Sequence, residues 1–419
     1  MNLTIEKMIY GGDGLARLPN GKAVFMPFVV DGEEVSATIV EEKTGFARAR
    51  VTEILKPSAN RVVPCCPYFE NCGGCHYQHA DYAAQLEIKR SVLRDTLRRT
   101  AKIDWQEEIV THSAEPWHYR NRTRLKVRGG SDFAAGYYRM GSHELLAVEQ
   151  CPISSPLINR AISEFWQMGR AQHVPVGIAE IELFADHLDS NLLLEVYGEL
   201  DLASAQKFLE DLRAGISATR GVALFVQGTG GIRRAASVGE PFLGYLSGGK
   251  SFRVSAGSFF QVNRYLIDEL VKVVTADARG KTALDLYAGV GLFANHLAAN
   301  FEQVIAVESA PTSVADLEAN AVPNVSAVRS STEQFLQRSQ KLRTDLLVVD
   351  PPRAGLGGRT TKLLAAAGTP RIVYLSCDPA TLARDLRTLL ESGYRIERVH
   401  LFDLFPQTFH IETMVRLAR

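Results

Sequence analysis

Four things are scarce in this chain of 419 residues, and each scarcity excludes something. Net charge is missing: 47 Lys and Arg balance 47 Asp and Glu, so no overall field draws a polyanion, and nucleic-acid binding would have to rest on local patches. No apolar run approaches the ~20 residues that cross a bilayer. The start, Met1-Asn2-Leu3-Thr4-Ile5-Glu6, also lacks the basic and apolar regions of a signal peptide. A cytoplasmic location with no membrane partner is therefore expected. Cysteine is limited to 6 residues, Cys65, Cys66, Cys72, Cys75, Cys151 and Cys377. Four of them crowd one short stretch, which suits metal or cluster ligation better than a disulfide framework. Repeats and low-complexity tracts are absent too.

What is present is an ordinary globular composition, 46% hydrophobic, enough for about two to four domains at ~150 residues each. Residues 1 to 57 alternate apolar and polar positions in short runs (23–30, 34–40, 47–54), broken by Gly11-Gly12-Asp13-Gly14, Pro19-Asn20-Gly21 and Asp31-Gly32. That pattern predicts a small antiparallel β-barrel. Lys56-Pro57-Ser58-Ala59-Asn60 reads as a linker.

Residues 58 to 250 form a central α+β region around the cysteine-rich loop. A helix over about 83–100 carries Leu86, Leu93 and Leu97 on one side and Arg90, Arg94 and Arg98 beside them, and is a candidate to pack on the C-terminal domain. Strands are expected at 179–184, 192–196 and 223–227, and helices at 157–170 and 202–213. Residues 251 to 419 turn to strict alternation, with apolar strands at 283–287, 304–308, 325–328, 346–350 and 372–375 separated by helices. This is a doubly wound, mainly parallel Rossmann-like sheet, whose ligands belong at the carboxyl ends of the strands. Gly289, Glu308, Asp350 and Cys377 all fall there.

Asp285-Leu286-Tyr287-Ala288-Gly289-Val290-Gly291 ends the first of these strands in a two-glycine turn that lets backbone approach a ligand, and Glu308 follows 19 residues after Gly289. Such an acid accepts ribose hydroxyls. The third glycine of the dinucleotide fingerprint is missing and no Gly-Lys-Ser/Thr loop is present, which favours S-adenosylmethionine over NAD or ATP. Asp350-Pro351-Pro352-Arg353 holds an acid at the strand end, since the prolines stop the strand. Alone, that motif suggests methylation of an exocyclic amine, although Arg353 stands where an aromatic would be expected.

Cys377 in Ser376-Cys377-Asp378-Pro379 changes the reading. A free Cys at the end of an apolar run is commonly just a small packed side chain. Carbon five of uracil, however, is a poor nucleophile until a thiolate adds at carbon six, and Cys377 is placed to supply that thiolate. Asp378 and Pro379 read as the cap and first residue of a helix, whose N-terminus would favour the anion. A general base must then remove the carbon-five proton, and Glu412 in His410-Ile411-Glu412-Thr413 is the candidate, although a Glu on a terminal strand is usually solvated.

Cys66-Pro67-x4-Cys72-Gly73-Gly74-Cys75, Tyr119-Arg120-Asn121-Arg122, Ser258-Phe259-Phe260-Gln261-Val262-Asn263, Asp350-Pro351-Pro352-Arg353, Ser376-Cys377-Asp378-Pro379 and His410-Ile411-Glu412 span nearly the whole chain. Together they resemble the RNA (uracil-5-)-methyltransferases, most closely the branch with an N-terminal TRAM domain that methylates 23S ribosomal RNA. The resemblance implies a TRAM/OB-like barrel and a class I methyltransferase domain, with Cys377 as nucleophile and Glu412 as proton acceptor. It also implies that Gln261, Tyr287, Glu308 and Asp350 lie at S-adenosylmethionine or the target base, beside Gly289 of the two-glycine turn. Two residues depart from the pattern: Leu292 stands where a polar cofactor ligand is common, and Ala288 where a non-catalytic Cys is common.

Spacing alone leaves zinc and iron–sulfur open for the cysteine cluster, with His76 and His79 as possible zinc ligands. The family likeness implies a [4Fe-4S] cluster on Cys66, Cys72, Cys75 and Cys151, leaving Cys65 spare. Arg120, Arg122, Arg124, Lys126 and Arg128 recur at every second position, so a strand would aim five cations at one face. Their mutual repulsion calls for a partner, and RNA phosphate is the expected one. Phe259 and Phe260 are candidates to stack on a flipped base, though adjacent aromatics are more often core. The expected partner is structured RNA, ribosomal before transfer RNA. A rival reading is a non-catalytic iron–sulfur RNA-binding or redox-sensing protein.

Overall fold

The computed structural model describes residues 1–419, apart from the side chain of Leu202. Three sheets and one hairpin organise the chain. The first sheet has six strands in the spatial order Asn2–Thr4, Glu34–Glu42, Phe46–Lys56, Ala23–Met26, Gly14–Arg17 and Lys7–Met8. Their alternating inward residues, among them Val24, Met26, Val35 and Ala47, are wholly buried. The pairing is antiparallel except between Ala23–Met26 and Phe46–Lys56, which run parallel. The expectation of a purely antiparallel barrel is corrected there. Gly14 is needed where this sheet closes tightly, because a Cβ would stand 2.4 Å from Val29 Cγ2.

The central sheet has seven strands in the order Leu145–Ala147, Ala134–Tyr138, Arg122–Arg128, Ile178–Ala185, Leu192–Gly198, Thr219–Gly228 and Gly231–Gly239. Helices Pro156–Arg170 and Leu202–Gly215 cover one face, where Ile158, Ile162, Phe165, Leu209 and Leu212 meet Leu183, Leu194 and Leu224. Ser155 starts the first of these helices by accepting the Ile158 amide, and Pro156 takes its first position, where no amide is missed.

The third sheet has eight strands in the order Val325–Arg329, Phe301–Glu308, Gly280–Leu286, Leu346–Val349, Arg371–Ser376, Glu412–Ala418, Arg395–Phe402 and Ile109–His112. Its first five strands are mutually parallel, and Glu412–Ala418 runs antiparallel to both neighbours. Two boundaries read from the sequence shift. Strand Ile109–His112 pairs with Arg395–Phe402 as the outer strand of this sheet. Helix Tyr82–Thr96, continued by a π turn over Leu97–Ala101, packs Val92, Leu93 and Leu97 into the core shared with Leu382, Leu386 and Leu389 of helix Pro379–Glu391. Leu86 is only half-buried, and Ile88 fills the face expected for it. The boundary at residue 250 also falls inside the hairpin Phe242–Ser247/Lys250–Ser255, whose Phe252 and Val254 belong to the core of the third sheet. Composition cannot reveal either shift, because both depend on which sheet a short segment joins.

No described helix is long and apolar enough to cross a membrane.

Candidate active site

Strand ends converge as doubly wound topology requires. Gly280–Leu286 runs into Tyr287, a non-glycine residue at φ 61°, then Gly289 at φ 55° and Gly291 at φ 90°. The two glycines do different jobs. A Cβ on Gly289 would meet nothing within 4 Å, so the backbone there borders open space. A Cβ on Gly291 would stand 2.6 Å from Leu317 Cδ1, so that glycine serves packing at the start of helix Leu292–Leu297. Glu308, at the end of the next strand, accepts the amides of Gly289 at 2.9 Å, Ser309 at 2.6 Å and Ala310 at 2.7 Å. Its carboxylate is thereby fixed beside the open turn, as a ribose acceptor must be. Leu292 and Ala288 are both buried apolar residues in the core.

One acid here carried no role in the sequence. Asp285 is fully buried, accepts the Ala294 amide at 2.9 Å through Oδ2 and leaves Oδ1 without a partner. Burial, with Asp350 and Glu308 nearby, pushes its carboxyl up to about 8. An unpartnered buried oxygen beside open backbone suits a polar ligand group. The open turn, the anchored Glu308 and this acid together fit S-adenosylmethionine.

The chemistry side is built from two neighbouring strands. Arg371–Ser376 and Glu412–Ala418 pair antiparallel, ending at Ser376 opposite Thr413. Continuing that register sets Cys377 against Glu412, and Asp350 follows the adjacent strand Leu346–Val349. Gln261 donates to Asp350 Oδ2 at 3.4 Å. Glu412 is buried, in contrast to the solvated position usual for a terminal strand.

Burial first, then the charges of Glu412 and Asp350, push the Cys377 thiol up to about 12. Burial and Asp350 hold Glu412 well above the usual carboxylate range, and burial pushes Asp350 up to about 7. The sequence expectation that a helix end stabilises the thiolate is corrected here. Asp378 caps helix Pro379–Glu391 itself, taking the amides of Ala380 at 3.0 Å and Thr381 at 2.9 Å. The helix end is therefore spent on that carboxylate. Arg353 is the cation that favours the Cys377 anion, and its Nη2 lies 3.1 Å from His410 Nδ1. Burial and the neighbouring Arg353 charge hold the His410 imidazolium down to about 3, so this ring is neutral and accepts from the guanidinium.

The paired aromatics separate. Phe260 is buried against Tyr245 and Phe184, while Phe259 is exposed. Of the two, only Phe259 remains available to a base.

The cation stripe is reinterpreted more strongly. Arg122 pairs with Glu182 and with Glu195, the latter at 2.7 Å; Arg124 pairs with Glu182 at 2.6 Å, and Lys126 pairs with Glu180. These carboxylates lie on the adjoining strand Ile178–Ala185 and on Leu192–Gly198, the next strand beyond it. The repulsion that called for phosphate is already neutralised within the sheet. Arg120 Nε donates to the Arg122 carbonyl at 2.8 Å. Arg128 is exposed and enters no ion pair among the described residues.

Cys66, Cys72, Cys75 and Cys151 line one cavity of about 220 Å³, together with Gln78, Arg120, Tyr137 and Ile153. Cys65 is exposed and stands outside it. Burial and the neighbouring thiols push Cys72 up to about 11, and Cys66 and Cys75 rise for the same reasons. Neither histidine lines the cavity. His79 Nε2 sits 2.9 Å from the Val29 carbonyl, and His76 packs on Phe409 with ring centroids 4.6 Å apart. Among the described residues, no three Cys, His, Asp or Glu side chains are grouped to hold one metal ion. A single zinc ion thus does not fit the thiols as they stand. The four thiols share one void.

Comparison with known proteins agrees with this architecture. Residues 1–52 match the TRAM domain family, and residues 246–419 match the tRNA (Uracil-5-)-methyltransferase family. An uncharacterized RNA methyltransferase of Aquifex aeolicus (strain VF5) is 34% identical over 436 residues, covering 100% of this chain and 98% of its own. One from Streptomyces avermitilis is 32% identical over 440 residues, covering 99% and 96%. The crystal structure of Pyrococcus abyssi tRNA (uracil-54, C5)-methyltransferase in complex with S-adenosyl-L-homocysteine superposes with a TM-score of 0.77 over 100% of both chains, at 23% identity, a likeness of fold. The chain belongs to a family of RNA methyltransferases, with an N-terminal TRAM domain and a C-terminal domain of the tRNA (Uracil-5-)-methyltransferase family.

Proposed function

We propose that this enzyme methylates carbon five of a uridine in structured cytoplasmic RNA, 23S ribosomal RNA before transfer RNA, through a covalent bond from Cys377 to carbon six. The observation that carries the reading is the ladder register that brings Cys377 to Glu412 beside Asp350. When bound, S-adenosylmethionine would supply the transferable methyl group and a positive sulfonium to a site lined by acids that burial pushes upward. Gln261, Tyr287, Gly289, Glu308 and Asp350 hold it or the adjoining base. Cys377 gives up its proton to solvent and adds at carbon six; the displaced pair of the carbon five–carbon six double bond makes carbon five able to take the methyl group, whose former bonding pair would stay with the departing sulfur. Glu412, as carboxylate, then takes the carbon-five proton, and the bond to Cys377 breaks with return of its electron pair to sulfur. The N-terminal barrel and the exposed Arg128 supply RNA contact outside the site.

Cys66, Cys72, Cys75 and Cys151 would hold a [4Fe-4S] cluster. The supporting observation is their shared cavity, from which Cys65, His76 and His79 are absent. Anaerobically purified protein should contain about four irons with visible absorbance; stoichiometric zinc without iron would reject the assignment.

The function is tested by incubating the enzyme with radiolabelled S-adenosylmethionine and 23S rRNA or tRNA transcripts, then separating the nucleosides. Label in 5-methyluridine supports the reading. Label on an amino nitrogen, retained by Cys377→Ala, would replace it with amine methylation.

A further inference from the structure

The N-terminal barrel reaches the reacting strands through one side chain. Tyr10 opens the turn between strands Lys7–Met8 and Gly14–Arg17, where Gly11 and Gly12 take φ values of 107° and 96° that only glycine adopts readily. The turn is closed by the Ile9 and Asp13 backbone at 2.9 Å. A Cβ on Gly12 would come within 3.2 Å of His76 Cβ, so the turn is pressed against the cysteine segment.

From this turn the Tyr10 hydroxyl donates to Asp378 Oδ2 at 3.1 Å. The other oxygen of that carboxylate caps the helix following Cys377. Asp378 is thus gripped from the barrel on one side and from the helix on the other, and it is bonded directly to the nucleophile. The Tyr10 ring also meets Phe409 edge-on, with centroids 5.5 Å apart. Phe409 lies tilted against His410 at 4.4 Å and edge-on to His76 at 4.6 Å, and Glu412 is three residues beyond Phe409. One barrel side chain therefore touches both the nucleophile's segment and the base's segment. Docking of the barrel does not depend on that hydroxyl, because Lys7–Asp95 at 2.8 Å and a shared apolar core already attach it.

We propose that Tyr10 is a positioning residue for the methyl-transfer reaction, setting Cys377 through Asp378 and Glu412 through Phe409, so that the barrel is part of the active site as well as an RNA-binding surface. The proposal rests on the uridine reading given above.

The test uses full-length enzyme, S-adenosylmethionine, and 23S rRNA and tRNA transcripts made with 5-fluorouridine, from which the final proton cannot be removed. The rate of covalent adduct formation is followed at saturating RNA, with the half-saturating RNA concentration and the melting temperature measured alongside. Tyr10→Phe should slow adduct formation roughly three- to tenfold, the factor of one ordinary hydrogen bond, with half-saturation unchanged and the melting temperature lowered by no more than a few degrees. Tyr10→Ala, which also loses the Phe409 contact, should be slower again. A Tyr10→Phe rate equal to wild type, or a change confined to half-saturation, overturns the proposal while leaving the uridine reading intact. Absence of any adduct with the wild type removes that reading and the proposal together.

Discussion

Cys377 and Glu412 face one another one step beyond the Ser376–Thr413 pair that ends an antiparallel ladder. The proposed nucleophile and the proposed base thus each adjoin a backbone-paired strand end. Two substitutions separate their roles. Cys377→Ala should abolish both turnover and adduct formation. Glu412→Gln should still form the bond and accept the methyl group, but stall before release, with turnover reduced about 10²–10⁴-fold. Ordinary RNA should then accumulate as a covalent complex on Glu412→Gln in a denaturing gel; no complex there, with turnover intact, would remove Glu412 from the reaction.

The thiol starts protonated, because burial and two acids push it up to about 12. Well below that value the thiolate fraction grows about tenfold per pH unit. Single-turnover adduct formation should therefore climb steadily from pH 6 to 9. A rate already flat at pH 7 would show that the thiol is ionised at rest.

Asp285 links stability to pH. Its folded value of about 8 lies above its ordinary value of 3.8, so the folded state holds the proton more tightly than the unfolded state. Its contribution is fully present below about pH 4 and is lost as pH rises through about 8. The difference in melting temperature between Asp285→Asn and wild type, both without ligand, should shift in favour of the variant from pH 5 to pH 8.5. A pH-independent difference would contradict the assignment.

Lys89 and Asp403 are fully buried and bonded at 2.6 Å. Lys89→Ala leaves a buried carboxylate uncompensated and should cost about 3–5 kcal/mol in denaturant unfolding. Adding Asp403→Leu should recover much of that loss. Equal stability of the single variant and wild type would mean that water reaches Asp403.

The sequence was most legible where chemistry and period coincide. The apolar runs 304–307, 346–349 and 372–375 stop just before Glu308, Asp350 and Ser376-Cys377, and the parallel topology brings those strand ends to one edge of the sheet. Within the stripe from Arg120 to Arg128, the carboxylate partners of Arg122, Arg124 and Lys126 are Glu180, Glu182 and Glu195, supplied by strands more than fifty residues away, and only pairing reveals them. The helix-end argument for Cys377 failed for a local reason: Asp378 was rightly read as a cap, and that cap occupies the amides the thiolate would have used. Tyr10 was illegible, since an aromatic before two glycines in a turn reads as an ordinary hairpin until the barrel is docked.

The most direct test is the identity of the trapped bond. 5-Fluorouridine RNA, S-adenosylmethionine and wild-type enzyme are incubated, the complex is digested with protease and nuclease, and the crosslinked peptide is sequenced by mass spectrometry. The account predicts one adduct, a methylated 5-fluorouridine joined to Cys377. An adduct on another residue, or efficient trapping by Cys377→Ala, would contradict it.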